Sequence, residues 1–250
     1  MAKLTGKVAV VVGGGSGIGK GIARAFVHEG CSVVIASRNA PRLKAAAKEL
    51  QAEAIDDAVV MDVPTDAAVE EQVVDLFKKT MDRFGQLDLL VNSSGAFDGG
   101  PVNELSYETW LKVVDANLNG PFLCLREAFG IMKKAGGGRI INIGSISAQM
   151  PREGSAPYTT TKFAIQGLTH TAALEGREYG IAVCALHPGN VAVERRVGTD
   201  NTAGWDESDE PMMATETIAE AALAMAVMPP KVNFYQAIVL PLDQVYLGRG

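Results

Sequence analysis

Seven short runs rich in valine, isoleucine and leucine recur along the chain, and between them lie longer segments with helical spacing. This alternation limits the fold more than any other feature. The runs are KVAVVV (7–12), SVVIAS (32–37), DAVVM (57–61), LDLLV (87–91), RIINIGS (139–145), IAVCALH (181–187) and AIVLPL (237–242). Their hydrophobicity is nearly continuous, as strands buried on both faces require. In DAAVEEQVVDLFKKTMDRFG, Val69, Val73, Leu76, Phe77, Met81 and Phe84 follow helical spacing, and Gly85 is a natural stop. No linker or low-complexity tract interrupts the pattern. The chain is therefore expected to form one α/β domain over residues 1–250, a doubly wound parallel sheet of about seven strands with helices on both faces. Only the stretch at about 190–215 breaks the rhythm. VERRVGTDNTAGWDESDEP (193–211) has little periodicity and is long enough to be a substrate loop.

A formal net charge of −6 argues against nucleic acid or an anionic membrane as a partner. Cys31, Cys124 and Cys184 are far apart and form no CxxC, which disfavours a disulfide framework or a metal site and fits a reducing compartment. The first residues lack the apolar stretch and cleavage site of a signal peptide. No uncharged apolar run approaches the ~20 residues of a membrane span. A cytoplasmic protein is expected.

The first strand runs into GGGSGIGKGIARAF, where Gly13, Gly17 and Gly19 are spaced G-x-x-x-G-x-G at a strand-to-helix turn. Glycine suits a tight turn that a pyrophosphate must approach without meeting a Cβ, and the helix N-terminus offers free N–H groups to the phosphates. A glycine-rich match alone is a weak signal, but after a buried strand and before a helix it indicates a Rossmann-type dinucleotide site. The end of the second strand reads ASRN. It carries Ser37 and Arg38 where an acid that binds the ribose 2′-hydroxyl is often found. An arginine fork binds a 2′-phosphate and a carboxylate would repel it, so NADP(H) is expected over NAD(H), which stays possible. Asp62 is expected just after the third strand, either within reach of an adenine amino group or as a helix-entry residue ahead of Pro64 and Thr65. Asn92, Ser93, Ser94 and Gly95 follow the fourth.

Tyr158 and Lys162 stand four apart at the start of a helical segment, on one face of the helix. An ordinary tyrosine titrates near about pH 10. A lysine charge ~4–5 Å away, at an effective dielectric of ~20, would favour the phenolate by roughly 3–4 kcal/mol before screening. That is enough for acid/base work near neutral pH. Ser145, at the end of the fifth strand, can hold a carbonyl oxygen, and Asn117 is a poor choice inside a long helix unless it has a task. His28, His170 and His187 show no pattern for metal or acid/base work and read as surface or packing residues. Trp205, Met212 and Met213 are either pocket-lining residues or ordinary packing under a loop.

These motifs, in this order, resemble the short-chain dehydrogenases/reductases over nearly the whole chain. The matching elements are the glycine turn Gly13–Gly19, Asp62–Val63, NSSG at 92–95, Asn117, Ser145, Y-x-x-x-K at 158–162 and HPGNV at 187–191. The resemblance implies that Tyr158 exchanges a proton with the substrate oxygen and that Ser145 positions that oxygen. It implies that Lys162 binds the nicotinamide ribose and lowers the tyrosine's pKa, while Asn117 holds a water linked to Lys162. The dinucleotide would be held by Gly13, Gly15, Ser16, Gly17, Ile18 and Gly19, by Ser37, Arg38, Asp62 and Val63, and by Asn92–Gly95. Tyr158, Lys162, Pro188, Gly189 and Val191 would contact its nicotinamide end. A homotetramer is implied as well. Val12, Ser93, Ser94, Gly144 and Val193 depart from the family's usual residues without removing a catalytic group.

The implied activity is hydride transfer between NADP(H) and a ketone or secondary alcohol. A catalytically silent NADP-binding sensor or scaffold and an NAD-preferring dehydrogenase are the alternatives. A lyase of the halohydrin dehalogenase kind is disfavoured because Lys162 and the glycines are kept. An enoyl reductase is disfavoured by the Tyr–Lys spacing.

Overall fold

The computed structural model describes residues 2–194 and 210–246. Seven strands, β1 (Val8–Val12), β2 (Ser32–Ser37), β3 (Val60–Pro64), β4 (Leu89–Asn92), β5 (Gly138–Ile143), β6 (Ile181–Pro188) and β7 (Gln236–Val239), form one sheet in the order β3-β2-β1-β4-β5-β6-β7. Every pairing is parallel. The helices are α1 (Gly17–Val27), α2 (Ala40–Glu53), α3 (Glu70–Phe84), α4 (Tyr107–Val114), α5 (Gly120–Ala135), α6 (Ala156–Gly176) and α7 (Thr215–Ala226).

The continuous hydrophobicity of the strands has the expected cause. All five residues of β1 are buried, and Ala9 to Val12 divide by parity between two cores. Ala9 and Val11 join Val33, Ile35 and Leu186 against Ile22, Phe26, Leu43 and Met225 of α1, α2 and α7. Val10 and Val12 join Val34, Leu90 and Val183 against Leu76, Phe77, Leu125 and Ala172 of α3, α5 and α6. The side-chain period of two thus sends alternate residues into opposite layers. The three thiols are free and buried. Burial pushes Cys124 and Cys184 up to about 12 and Cys31 higher still, so all three are inert packing groups.

Some element boundaries differ from expectation. The third strand spans Val60–Pro64 rather than residues 57–61, because Asp57 lies in a turn and Ala58 donates its N–H to Ile55 O at 3.2 Å. Pro64 is tolerated because β3 is a sheet edge. β5 stops at Ile143, so Ser145 lies two residues beyond it, and β7 stops at Val239 ahead of Pro241. Asn117 lies within an unbroken helical run over residues 107–135, as expected. It sits in a π-helical turn, Asp115–Asn119, between α4 and α5.

Among the described residues no helix is long and apolar enough to cross a membrane. The ends of the irregular stretch are pinned: Val191 bridges Met213, and Ala192 donates to Met213 O at 2.8 Å. Met213 is buried in the core while Met212 is exposed. Trp205, with the rest of residues 195–209, lies outside the described residues.

Gly85 ends α3 as its position suggested, with φ +70 and its N–H donating to Met81 O at 2.8 Å. Gly85→Ala places a Cβ in open space but in a backbone region disfavoured for L-residues. It should lower stability by about 1 kcal/mol, and Gly85→Asn by less, in urea unfolding.

Candidate active site

Parallel strands all point their C-terminal ends the same way, and neighbouring β1 and β4 carry the chain to opposite sides of the sheet. The crevice at that switch is where an open α/β sheet binds a ligand. A cleft of about 540 Å³ lies there, lined by the glycine turn, the β2 and β4 exits, Tyr158 and Lys162.

The glycine turn closes one wall. Gly13 has φ +85, and a Cβ on it would come within 2.7 Å of the Ser93 carbonyl and the Ser94 nitrogen. On Gly19 it would meet Gly13 O at 2.3 Å. Glycine at these positions lets β1 lie against the β4 exit and lets α1 start against the end of β1. Ser16, Gly17, Ile18 and Gly19 line the cleft, whereas Gly15 faces Ser37, whose Oγ would be 2.9 Å from a Cβ at position 15. At the N-terminus of α1 the Gly17 N–H donates to Glu194 Oε2 at 2.8 Å. A carboxylate therefore sits where a helix N-terminus favours an anion. Sequence reasoning missed Glu194, which becomes a neighbour only through the fold.

At the β2 exit, Ser37 and Arg38 line the cleft together with Asn39 and Arg42. Asn39 caps α2 by accepting the Arg42 N–H at 3.0 Å. The Ser37 hydroxyl is buried without a hydrogen-bond partner among the described residues. An orphaned hydroxyl in a cleft that two arginines also line suits a phosphate oxygen. Arg42 was not singled out in the sequence, although it stands four residues after Arg38.

Asp62 and Val63 lie inside β3. β3 continues past them, pairing Asp62 with Ile35 and Val63 with Ala36, and Thr65 and Asp66 take the strand-exit position. Ser93, Ser94 and Gly95 line the cleft, but Asn92 is the last residue of β4 and is buried. Its amide donates to Pro121 O at 3.2 Å and Asn142 Oδ1 at 2.9 Å, tying β4 to β5 and α5. Pro188 ends β6, Gly189 donates to Val239 O at 2.8 Å and faces Gln244, and Val191 is buried and bridges Met213. Val193 and Glu194 line the cleft.

The chemical end is built on α6. The helix begins at Ala156 with Pro157 in its first turn, so Tyr158 and Lys162 lie one turn apart on it. Lys162 Nζ is 5.5 Å from the Tyr158 ring centroid and donates to Ile143 O at 3.0 Å, and Lys162 is buried. The Phe97 ring meets Tyr158 edge-on at 5.0 Å. Ser145 caps a 3₁₀ turn, Ile146–Ala148, its Oγ accepting the Ser147 N–H at 3.1 Å. That bond occupies a lone pair and leaves the hydroxyl proton for another acceptor.

Asn117 is buried. Its Oδ1 accepts the Ala96 N–H at 2.7 Å, and its Nδ2 donates to Ala96 O at 2.9 Å and Thr161 Oγ1 at 3.2 Å. Thr161 in turn donates to Tyr158 O at 2.8 Å. The asparagine thus connects the loop after β4 to the helix that carries Tyr158. A π turn at such a place is a recurrent feature of functional sites. His187 is more than packing, since its Nδ1 touches the Ser145 backbone. His28 is a surface residue beside Glu53, and His170 lies beside the Tyr235 ring.

A family model described as short chain dehydrogenase matches residues 7–203. A relative described as an uncharacterized oxidoreductase of Staphylococcus aureus (strain MW2) is 34% identical over 242 residues, 97% of this chain and 100% of that one. A short-chain type dehydrogenase/reductase from Mycobacterium ulcerans superposes with a TM-score of 0.88 at 27% identity, over 95% of this chain and 89% of the other. A substituted actinorhodin polyketide ketoreductase solved with NADPH gives 0.85 at 29% identity, over 95% and 97%. The chain belongs to the short-chain dehydrogenase/reductase family. It is an oxidoreductase of a family that uses NAD(P)(H).

Glu194 occupies the end of α1 that would face the diphosphate. Glu194→Gln should tighten NADPH binding by about two- to fivefold, the effect of removing one competing charge at a helix terminus. Fluorescence titration at low ionic strength measures it, and unchanged affinity would count against a shared site.

Proposed function

We propose that the protein is an NADP(H)-dependent carbonyl reductase or alcohol dehydrogenase acting on a ketone/secondary-alcohol pair, with Tyr158 as proton donor and acceptor. The observation that carries the reading is that Tyr158 and Lys162 line the same cleft as the glycine turn and the β2 exit. The bound dinucleotide supplies or takes the hydride; the chain's own residues orient the substrate and move the proton. The Tyr158 hydroxyl gives its proton to the developing alkoxide in reduction and takes it back in oxidation. A cation one helical turn away favours the ionised phenol in either direction. Ser145 donates to the same oxygen. Asn117 holds the loop after β4 and α6 in register, and the water ascribed to it would meet a side chain already bonded through both amide hydrogens. Gly13 and Ser16–Gly19 would hold the diphosphate, Ser93–Gly95 the neighbouring sugar, and Ser37, Arg38 and Arg42 the 2′-phosphate. The buried unpartnered Ser37 hydroxyl supports that assignment.

A homotetramer in the cytoplasm completes the proposal. Phe122 on α5, Phe163 and Leu174 on α6, and Ile238 on the edge strand β7 are exposed apolar residues that a second copy could cover. The three free thiols fit a reducing compartment. Sedimentation velocity should give about four times the 26.3 kDa chain mass.

The reaction is tested with a panel of aliphatic and aromatic ketones and aldehydes, using NADPH and NADH in turn. Tyr158→Phe should lower kcat by roughly 10²–10⁴-fold while NADPH affinity stays within about twofold. Arg38→Asp should shift preference toward NADH, and unchanged preference for NADPH would refute the role given to the arginine. Binding of NADPH without turnover of any carbonyl would identify a silent sensor instead.

A further inference from the structure

The backbone that presents Ser145 is held at three consecutive residues. The Ile143 carbonyl accepts from Lys162 Nζ at 3.0 Å, and the Gly144 N–H donates to Leu186 O at 2.8 Å. The Ser145 backbone lies against His187, whose Nδ1 is 3.0 Å from Ser145 O and 3.3 Å from Ser145 N. His187 stands near the end of β6 with no exposed surface. A Cβ on Gly144 would be 2.3 Å from its Nδ1 and 2.6 Å from its Cε1. The ring therefore fills the volume a side chain at 144 would need, which accounts for glycine at a position where the family often has serine.

A single ring nitrogen of a neutral imidazole cannot both donate to Ser145 O and accept from Ser145 N. The carbonyl contact is the shorter, which favours the tautomer with its proton on Nδ1, at the cost of turning that proton toward the Ser145 N–H. Burial holds the imidazole pKa below its ordinary value. The Ser145 carbonyl opposes this, and the positive charges of Lys162 and His170 act with burial. The other nitrogen, Nε2, is buried with no partner among the described residues. A leucine would fill the same space without that orphan, so what histidine adds is the bond at Nδ1.

We propose that His187 is a positioning residue: its Nδ1–H bond to the Ser145 carbonyl fixes the backbone from which the Ser145 hydroxyl reaches the substrate oxygen, and Gly144 is the matching residue that makes room for the ring. The proposal rests on the role given to Ser145 above. The serine hydroxyl already accepts from Ser147, so its proton direction depends on the orientation of residues 145–147. A displacement of about 1 Å at such a group can cost on the order of 10²-fold in rate.

The test uses the natural protein, His187→Leu, His187→Asn and Tyr158→Phe with NADPH and the carbonyl that the panel identifies as the fastest substrate. His187→Leu is expected to lower kcat by about tenfold or more, with KM for the carbonyl and NADPH affinity within about threefold. His187→Asn, whose amide can donate from near the Nδ1 position, is expected to recover most of that loss. In the natural protein, ¹⁵N NMR of labelled histidine at pH 7 should show His187 neutral with its proton on Nδ1, a result that stands even where a variant fails to fold. A kcat for His187→Leu within about twofold of natural, equal losses in Leu and Asn with weakened NADPH binding, or a proton on Nε2 would overturn the proposal. Full turnover by Tyr158→Phe would instead overturn the reading of the site, so the two failures are separable.

Discussion

The contact between the end of β1 and the end of β4 governs the rest of the molecule. Gly13 lies so close to the Ser93–Ser94 backbone that no side chain fits between them. That closeness sets the two strands side by side at the point where the sheet changes its winding direction. Once it is fixed, the start of α1, the β2 exit and the loop carrying Ala96 open on one cleft, and α6 needs only to pass its other side. Two separately buried cores, one on each face, make the arrangement rigid.

Most of this framework is legible in the sequence because it rests on patterns with a short range. Valine-rich runs reveal doubly buried strands, and Gly85 marks the end of a helix. Tyr158 and Lys162 share a face simply because they are four residues apart. Boundaries that depend on a distant partner leave a weaker trace in the sequence. Asp62 looks like a strand-exit residue until pairing with Ile35 carries β3 two residues further. Asn92 resembles its cleft-lining neighbours until its amide is found bound to Pro121 and Asn142. His187 shows the largest gap, since nothing near it in sequence reveals a contact with Ser145, 42 residues away.

The candidate site is built by fixing short backbone segments more than by any unusual side chain. Ser145, Asn117 and Lys162 each bind main-chain atoms: the serine caps its own turn, the asparagine grips Ala96, and the lysine holds Ile143. Residues that reach across to neighbouring backbone limit the motions available to the atoms they carry, which is the preorganisation that electrostatic catalysis needs.

The pairing of Val191 with Met213 has an evolutionary corollary. It closes a stem from which the intervening chain departs and to which it returns, so changes in that insert need not propagate into the sheet. Loop-closure entropy grows slowly with length, by only about 0.6 kcal/mol per doubling. Such a clamp separates the sheet from changes of length in the segment between its two ends.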